Sequence, residues 1–155
     1  MRHAIAPTLA TIFMALFVLG PATTARAGDQ GCSNASLKGS FGFTSQGALL
    51  AGVPPPVVGP FGEIGRQIFD GRGNTEGTAT LSANGNIGKV TFQGTYVVNP
   101  DCTGWMSFVV SPIGTTADLD FVIDDNGTEL RAIVTAAGAV ETRVYKKQVS
   151  RERRD

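Results

Sequence analysis

The chain has 155 residues, 42% of them hydrophobic and 17% charged, with equal numbers of basic and acidic side chains, 20 glycines, two cysteines and one histidine. That size suits a single small domain. The histidine is His3, inside a segment read below as an export signal, so the rest of the chain has no imidazole. Ser-His-Asp and Cys-His catalysis, histidine zinc sites and histidine pH switching are thereby excluded.

The chain opens with Met1-Arg2-His3, an apolar run from Leu9 to Leu19 broken only by Thr11, then Gly20-Pro21 and Ala25-Arg26-Ala27. A basic start, a short apolar core and an A-x-A site are the parts of a secretory signal peptide, placed at 1–27 with cleavage after Ala27. A membrane-spanning helix needs about 20 apolar residues, and this run stops well short. The expected location is secreted or periplasmic, without stable membrane insertion. Lipidation at Cys32 is disfavoured, because Asp29-Gln30-Gly31 precedes it.

Cys32 and Cys102 are the only cysteines, and both lie in the exported part, where disulfides persist. No C-x-x-C motif suggests a redox-active thiol. The two are expected to pair, closing a long loop worth about 4 kcal/mol in the chain-entropy model.

From Leu37 onward Gly, Asn and Asp punctuate the chain at short intervals, and no window carries a helical apolar period. Eight strands are predicted, at 37–50, 61–70, 75–83, 87–98, 103–111, 118–124, 128–135 and 139–147. The first two are separated by Ala51 to Pro60, whose Pro54-Pro55-Pro56 favours a stiff extended segment. In a barrel this connection would lie at one mouth.

In the second strand Glu63, Gly65, Gln67 and Phe69 share one face, and Ile64, Arg66 and Ile68 the other. If Phe69 points inward, Glu63 and Gln67 do too. A carboxylate in an apolar interior has a raised pKa and serves as an acid, a base or an anchor for a polar ligand head, with Tyr96 as its partner. The opposite orientation would bury Ile64 and Ile68 and leave Glu63 in water.

Asp70-Gly71-Arg72-Gly73-Asn74 and Asn84-Gly85 are turns that bracket the third strand. The fourth alternates most clearly, with Val90, Phe92, Gly94, Tyr96 and Val98 on one face and Lys89, Thr91, Gln93 and Thr95 on the other. The fifth is apolar on both, Trp105 and Val109 against Met106, Phe108 and Val110. Its outer face must lie under the amino-terminal segment or form a homo-oligomer contact. The sixth sets Leu119, Phe121 and Ile123 against Asp118, Asp120 and Asp124. Asp124-Asp125-Asn126-Gly127 then fails the calcium-loop template, because position 122 is Val, and reads as a hairpin turn. The seventh places Leu130, Ala132 and Val134 opposite Glu129, Arg131 and Ile133.

Residues 148–155 are read as a flexible basic tail on an acidic body, since 28–145 hold six basic and eleven acidic side chains. Export and that acidity argue against nucleic-acid binding. The predicted domain, 28–147, is all-β: a single eight-stranded antiparallel meander barrel, with a two-sheet sandwich as the alternative.

Cys32, Leu37-Lys38-Gly39-Ser40-Phe41-Gly42-Phe43, Phe69-Asp70-Gly71-Arg72-Gly73-Asn74, and Gly94-Thr95-Tyr96-Val97-Val98-Asn99 to Cys102-Thr103-Gly104 resemble a group of small exported bacterial β-barrel proteins of unassigned function. The strand order and the Gly-Thr-Tyr segment are more distantly similar to the allene oxide cyclase and dirigent barrels. That resemblance implies a cavity for a hydrophobic substrate.

The leading expectation is therefore a barrel binding a small hydrophobic or amphipathic ligand, without cofactor, metal or catalytic chemistry. The candidate ligand-binding residues are Glu63, Gln67, Phe69, Phe92 and Tyr96. The alternatives are a cofactor-free cyclase or isomerase in the same cavity, and a structural or protein-interaction module with a filled interior.

Overall fold

Short runs of alternating apolar and polar residues, each ended by turn formers, pair with the run that follows in sequence. The computed structural model describes residues 31–50 and 57–149, so the segment expected to be an export signal, most of the proline connection and the end of the tail lie outside the described residues. Its strands are β1 (Gly39–Leu49), β2 (Gly59–Phe69), β3 (Asn74–Ala83), β4 (Asn86–Val98), β5 (Thr103–Ser111), β6 (Thr115–Asp124), β7 (Glu129–Val134) and β8 (Ala139–Lys147). Each pairs antiparallel with the next, and β8 pairs with β1, which closes the barrel and excludes a sandwich. Closure leaves no edge strand open.

The alternation seen in β4, β6 and β7 matches the interior. Phe92, Tyr96, Leu119, Phe121 and Leu130 are buried, whereas Ile64 is 63% exposed. Phe69 and Gln67 thus point inward, and the alternative facing of β2 is overturned. Large rings fill the middle of the barrel. Phe92 lies 4.9 Å from Phe108 and 6.0 Å from Phe43, and Phe43 lies 5.1 Å from Tyr145, centroid to centroid.

Glycines on the inward face make room for those rings and for close backbone approach. A Cβ on Gly65 would meet the Phe43 ring at 2.7 Å, and one on Gly77 would collide with the Phe92 ring. Small-under-large pairing of this kind lets eight strands curve around an aromatic core.

One end of the barrel is pinned by the amino-terminal segment. Leu37, expected to begin the first strand, instead ends a short 3-10 turn over Asn34–Leu37 and is fully buried. Cys32 and Cys102 form the expected disulfide, and the Cys32 amide donates to the Pro100 carbonyl at 3.1 Å. The Asn34 side-chain oxygen accepts from the Val98 amide at 2.8 Å. The connections β2–β3, β4–β5 and β6–β7 surround this end; the end of β1, the start of β2 and the connections β3–β4, β5–β6 and β7–β8 surround the other, called here the mouth.

Asn84 and Gly85 have φ of 47° and 84°, as a two-residue hairpin turn requires. Asn126-Gly127 differs from expectation. Asp125, Asn126 and Gly127 all adopt positive φ within a four-residue connection, so β6 and β7 are joined by a wider left-handed turn.

The outer face of β5 carries Trp105, 45% exposed, and Val109, 49% exposed. Among the described residues no amino-terminal segment covers them.

A methyl group on Gly94 would run into the Ser107 carbonyl and the Phe108 backbone across the ladder, whereas on Gly88 it would meet only the flexible Leu81 tip at 3.4 Å. Gly94→Ala is expected to lower unfolding free energy by about 1–3 kcal/mol or more. Gly88→Ala is expected to change it by less than about 0.5 kcal/mol. Urea titration of both variants checks the pair; equal losses would contradict the packing described.

Candidate functional site

The interior is mostly apolar; besides the Gln67–Thr75 pair, its buried polar side chains gather where three neighbouring strands place them side by side. Ser45 of β1 stands opposite Glu63 of β2 on one flank and opposite Arg143 of β8 on the other. Glu141 precedes Arg143 by two residues and so shares its inward face. All four lie toward the mouth, beyond the ring of Phe43.

Arg143 is the centre of this group. Its Nε donates to Glu141 Oε1 at 2.7 Å, and its Nη2 lies 3.1 Å from Glu63 Oε2. Ser45 Oγ donates to the same Glu141 oxygen at 2.5 Å. The guanidinium carbon sits 5.3 Å from the Phe43 ring centroid and 5.4 Å from that of Phe108, so two aromatic faces flank the cation. The side chains of Arg143 and Glu63 are each only 5% exposed.

Tyr145 follows Arg143 by two residues and is fully buried. Its hydroxyl lies within hydrogen-bonding reach of the guanidinium, although the contact is not well aligned. Beyond that loose contact Arg143 Nη1 and Tyr145 Oη have no hydrogen-bond partner, and Glu63 Oε2 is held only by the ion pair. Buried polar atoms of this kind are uncommon in native proteins.

The charges set one another's protonation. Burial raises the Glu63 carboxyl above its ordinary value, with Glu141 adding to the rise and Arg143 opposing it. Burial works to lower the Arg143 guanidinium, but Tyr145, Glu63 and Glu141 together hold it above its usual range. The Tyr145 phenol is pushed up to about 12, chiefly by burial. Arg143 is thus a permanent buried cation.

The residues singled out from sequence are all inside the barrel, but at different heights. Glu63 belongs to the mouth-side group. Gln67 lies lower, its Nε2 donating to Thr75 Oγ1 at 2.9 Å and touching Met106 Sδ at 3.6 Å, while its Oε1 has no partner. Phe92 is part of the aromatic middle.

Phe69 and Tyr96 pack together at the pinned end, 5.1 Å between centroids. Tyr96 is not the partner of Glu63. Its hydroxyl accepts from the Gly71 amide at 2.9 Å and donates to the Asn34 carbonyl at 3.0 Å, clasping the 3-10 turn to the β2–β3 loop. The partner of Glu63 is Arg143, with Glu141 close enough to repel it; on β8 only Tyr145 marks the face of Glu141 and Arg143 as the inward one, against Val140, Thr142 and Val144 on the other.

Elsewhere the polar residues serve turns. Asp70 accepts from the Arg72 and Asn74 amides and from the Asn74 side chain, which holds its carboxyl down to about 2, the Asn74 side-chain bond contributing most. Asp124 pairs with Arg131, and Asp125 accepts from Thr128. Among the described residues, no group of three or more His, Cys, Asp or Glu is placed to hold a metal ion. The outer wall has shallow depressions, one of about 670 Å³ bordered by Trp105, Val122, Ile133 and Val144.

No family model and no curated protein matches the chain. Solved structures do. A redesigned β-barrel aligns over 75% of this chain and 95% of its own, with a TM-score of 0.54 and 14% identity. The redesigned barrel mFAP1, bound to DFHBI, aligns over 74% of this chain and 97% of its own, at TM-score 0.54 and 16% identity. EF1p2_mFAP2b, also bound to DFHBI, aligns over 73% and 94%, at TM-score 0.54 and 12% identity. At these identities the likeness is one of fold.

Glu63 also gives the site a pH signature. The folded protein holds its proton more tightly than the unfolded chain, whose ordinary value is 4.5. Its contribution to stability is therefore fully present below 4.5 and is lost as pH rises through the raised value. Glu63→Gln removes that loss, so the variant should gain stability relative to the parent as pH climbs above 4.5. Parallel curves of urea midpoint against pH would contradict the shift.

Proposed function

We propose that the protein is an exported barrel that binds a small hydrophobic or amphipathic molecule in the mouth-side part of its interior, without catalytic chemistry. The observation that carries this reading is the pair of fully enclosed polar groups, Arg143 Nη1 and Tyr145 Oη, which make no well-aligned hydrogen bond. A fold gains nothing by leaving such atoms unmet; each costs about 1–3 kcal/mol. A ligand that satisfies them recovers that cost on binding. Apolar walls with a few convergent polar groups are also the usual make-up of a small-molecule site.

Two further features support the reading. An eight-stranded barrel is wide enough either to be filled by side chains or to hold one small ligand, and barrels of similar fold are bound to DFHBI. The disulfide is consistent with an oxidising, secreted or periplasmic setting.

Tyr145→Phe tests the reading without emptying the core, because it removes only the unpaired hydroxyl. The parent should bind the apolar dye N-phenyl-1-naphthylamine saturably, with one dye per chain. A ligand carrying a polar head should displace it, and Tyr145→Phe should weaken that ligand by about 5–10-fold, the worth of one hydrogen bond. Fluorescence titration checks both. Failure of the parent to bind any apolar probe would remove the proposal.

A second reading, association with another copy of the chain, rests on the outer wall. Trp105 stands across the ladder from Asp120, and Asp120 from Ile133; Val122 stands across from Arg131, and Arg131 from Val144. All four apolar members are exposed, and together they form a patch of the kind that marks contact surfaces. This reading expects a dimer in multi-angle light scattering that Trp105→Ser dissociates. A monomer at high concentration would exclude it.

A further inference from the structure

Resting on the ligand-binding reading, we infer that the head group taken by the Arg143 site is a neutral hydrogen-bond acceptor, such as a ketone, aldehyde, ester or amide carbonyl on an apolar body.

The inference follows from counting charges and donors. Arg143 contributes one positive charge, and Glu141 and Glu63 are the two carboxylates within reach of it. With Glu63 protonated the cluster is neutral, and with Glu63 ionised it carries one negative charge. A ligand carboxylate or phosphate would add a further negative charge in a site walled by Phe43 and Phe108, where water cannot screen it. The other cation of the inward face of β8, Lys147, lies against Phe41 toward the pinned end and cannot compensate. Anionic heads are therefore penalised.

Cationic heads fail on donors. The groups at the centre that lack a well-aligned hydrogen bond are an N–H pair of Arg143, the hydroxyl of Tyr145 and the Glu63 Oε2 acceptor. An ammonium could donate to Glu63 Oε2 and to the Tyr145 oxygen, but it has no lone pair for the guanidinium N–H groups and would place like charges side by side. A purely hydrocarbon ligand would leave every one of these atoms unpaired.

A carbonyl oxygen accepts from both donors at once and adds no charge. Arg143 and Tyr145 occupy alternate positions on one strand, so their polar ends can converge on one oxygen. The aromatic flanks supply the apolar contact for the body of such a molecule.

The experiment is isothermal titration calorimetry of the full exported chain, near neutral pH, with 2-nonanone, nonanoate, nonylamine and nonane. These share their chain and differ in the head. The ketone is expected to bind at least about tenfold more tightly than nonanoate, nonylamine or nonane. In Glu63→Gln, where the second carboxylate is gone, nonanoate is expected to gain affinity and close part of that gap.

Tightest binding of nonanoate or nonylamine would overturn the neutral-acceptor assignment and leave the ligand-binding reading standing. Equal affinity for all four would also overturn the assignment, pointing to an unspecific apolar slot. No binding of any of them, together with no uptake of the neutral dye, would overturn both.

Discussion

A guanidinium held between two aromatic rings inside a closed β-barrel is the constraint on which the rest of this structure turns. Removing such an ion from water is costly, and the attraction of its carboxylates offsets that cost only in good geometry. Glu141 meets Arg143 through Nε and Glu63 through Nη2, so the two carboxylates take separate nitrogens. The third nitrogen and the neighbouring phenol remain unmet. Replacing buried ion pairs of this kind by apolar residues is often neutral or stabilising in other proteins. On the proposed function their presence here serves recognition rather than stabilisation.

The location of the cluster ties it to barrel closure. Its members come from β8, β1 and β2, the three strands around the seam where the last strand meets the first. Below them the aromatic rings of Phe43, Phe92, Phe108 and Tyr145 fill the bore. Below those, the disulfide, the 3-10 turn and the Tyr96 clasp hold the far end shut. The barrel is thus built with one end tied by covalent and polar contacts and a polar group buried toward the other. That polarity along the axis makes the mouth the direction from which a small molecule would reach Arg143.

Much of the fold was legible in the sequence because a strand has only two faces. Alternation in β4, β6 and β7 assigned the interior residues correctly, and short turns favoured neighbouring strands over crossovers. The same logic sent Glu63 and Gln67 inward with Phe69. Height along the barrel was not legible. It depends on the stagger of the strands, which no single strand encodes, and so the sequence pattern pairs Tyr96 with Glu63 although Tyr96 lies near the opposite end. The pattern extends the first strand to Leu37 for a related reason: an apolar residue near a glycine carries no sign that it plugs the barrel end. β8 hid the centre of the site, since Glu141 and Arg143 have the composition of a solvated face and Val140 and Val144 that of a core. Burial of Glu141 and Arg143 depends on their having each other, Ser45 and Glu63, and those partners are distant in sequence.

The measurement that bears most directly on this account is solution NMR of the Arg143 side chain during titration with 2-nonanone. The sole tryptophan, Trp105, lies on the outer wall and supplies an internal reference through its indole N–H. The account predicts slowly exchanging Arg143 Nη resonances that shift on ketone addition while the Trp105 signal stays in place. Shifts confined to Trp105 and its neighbours, with Arg143 unmoved, would place binding on the outside of the barrel and contradict it.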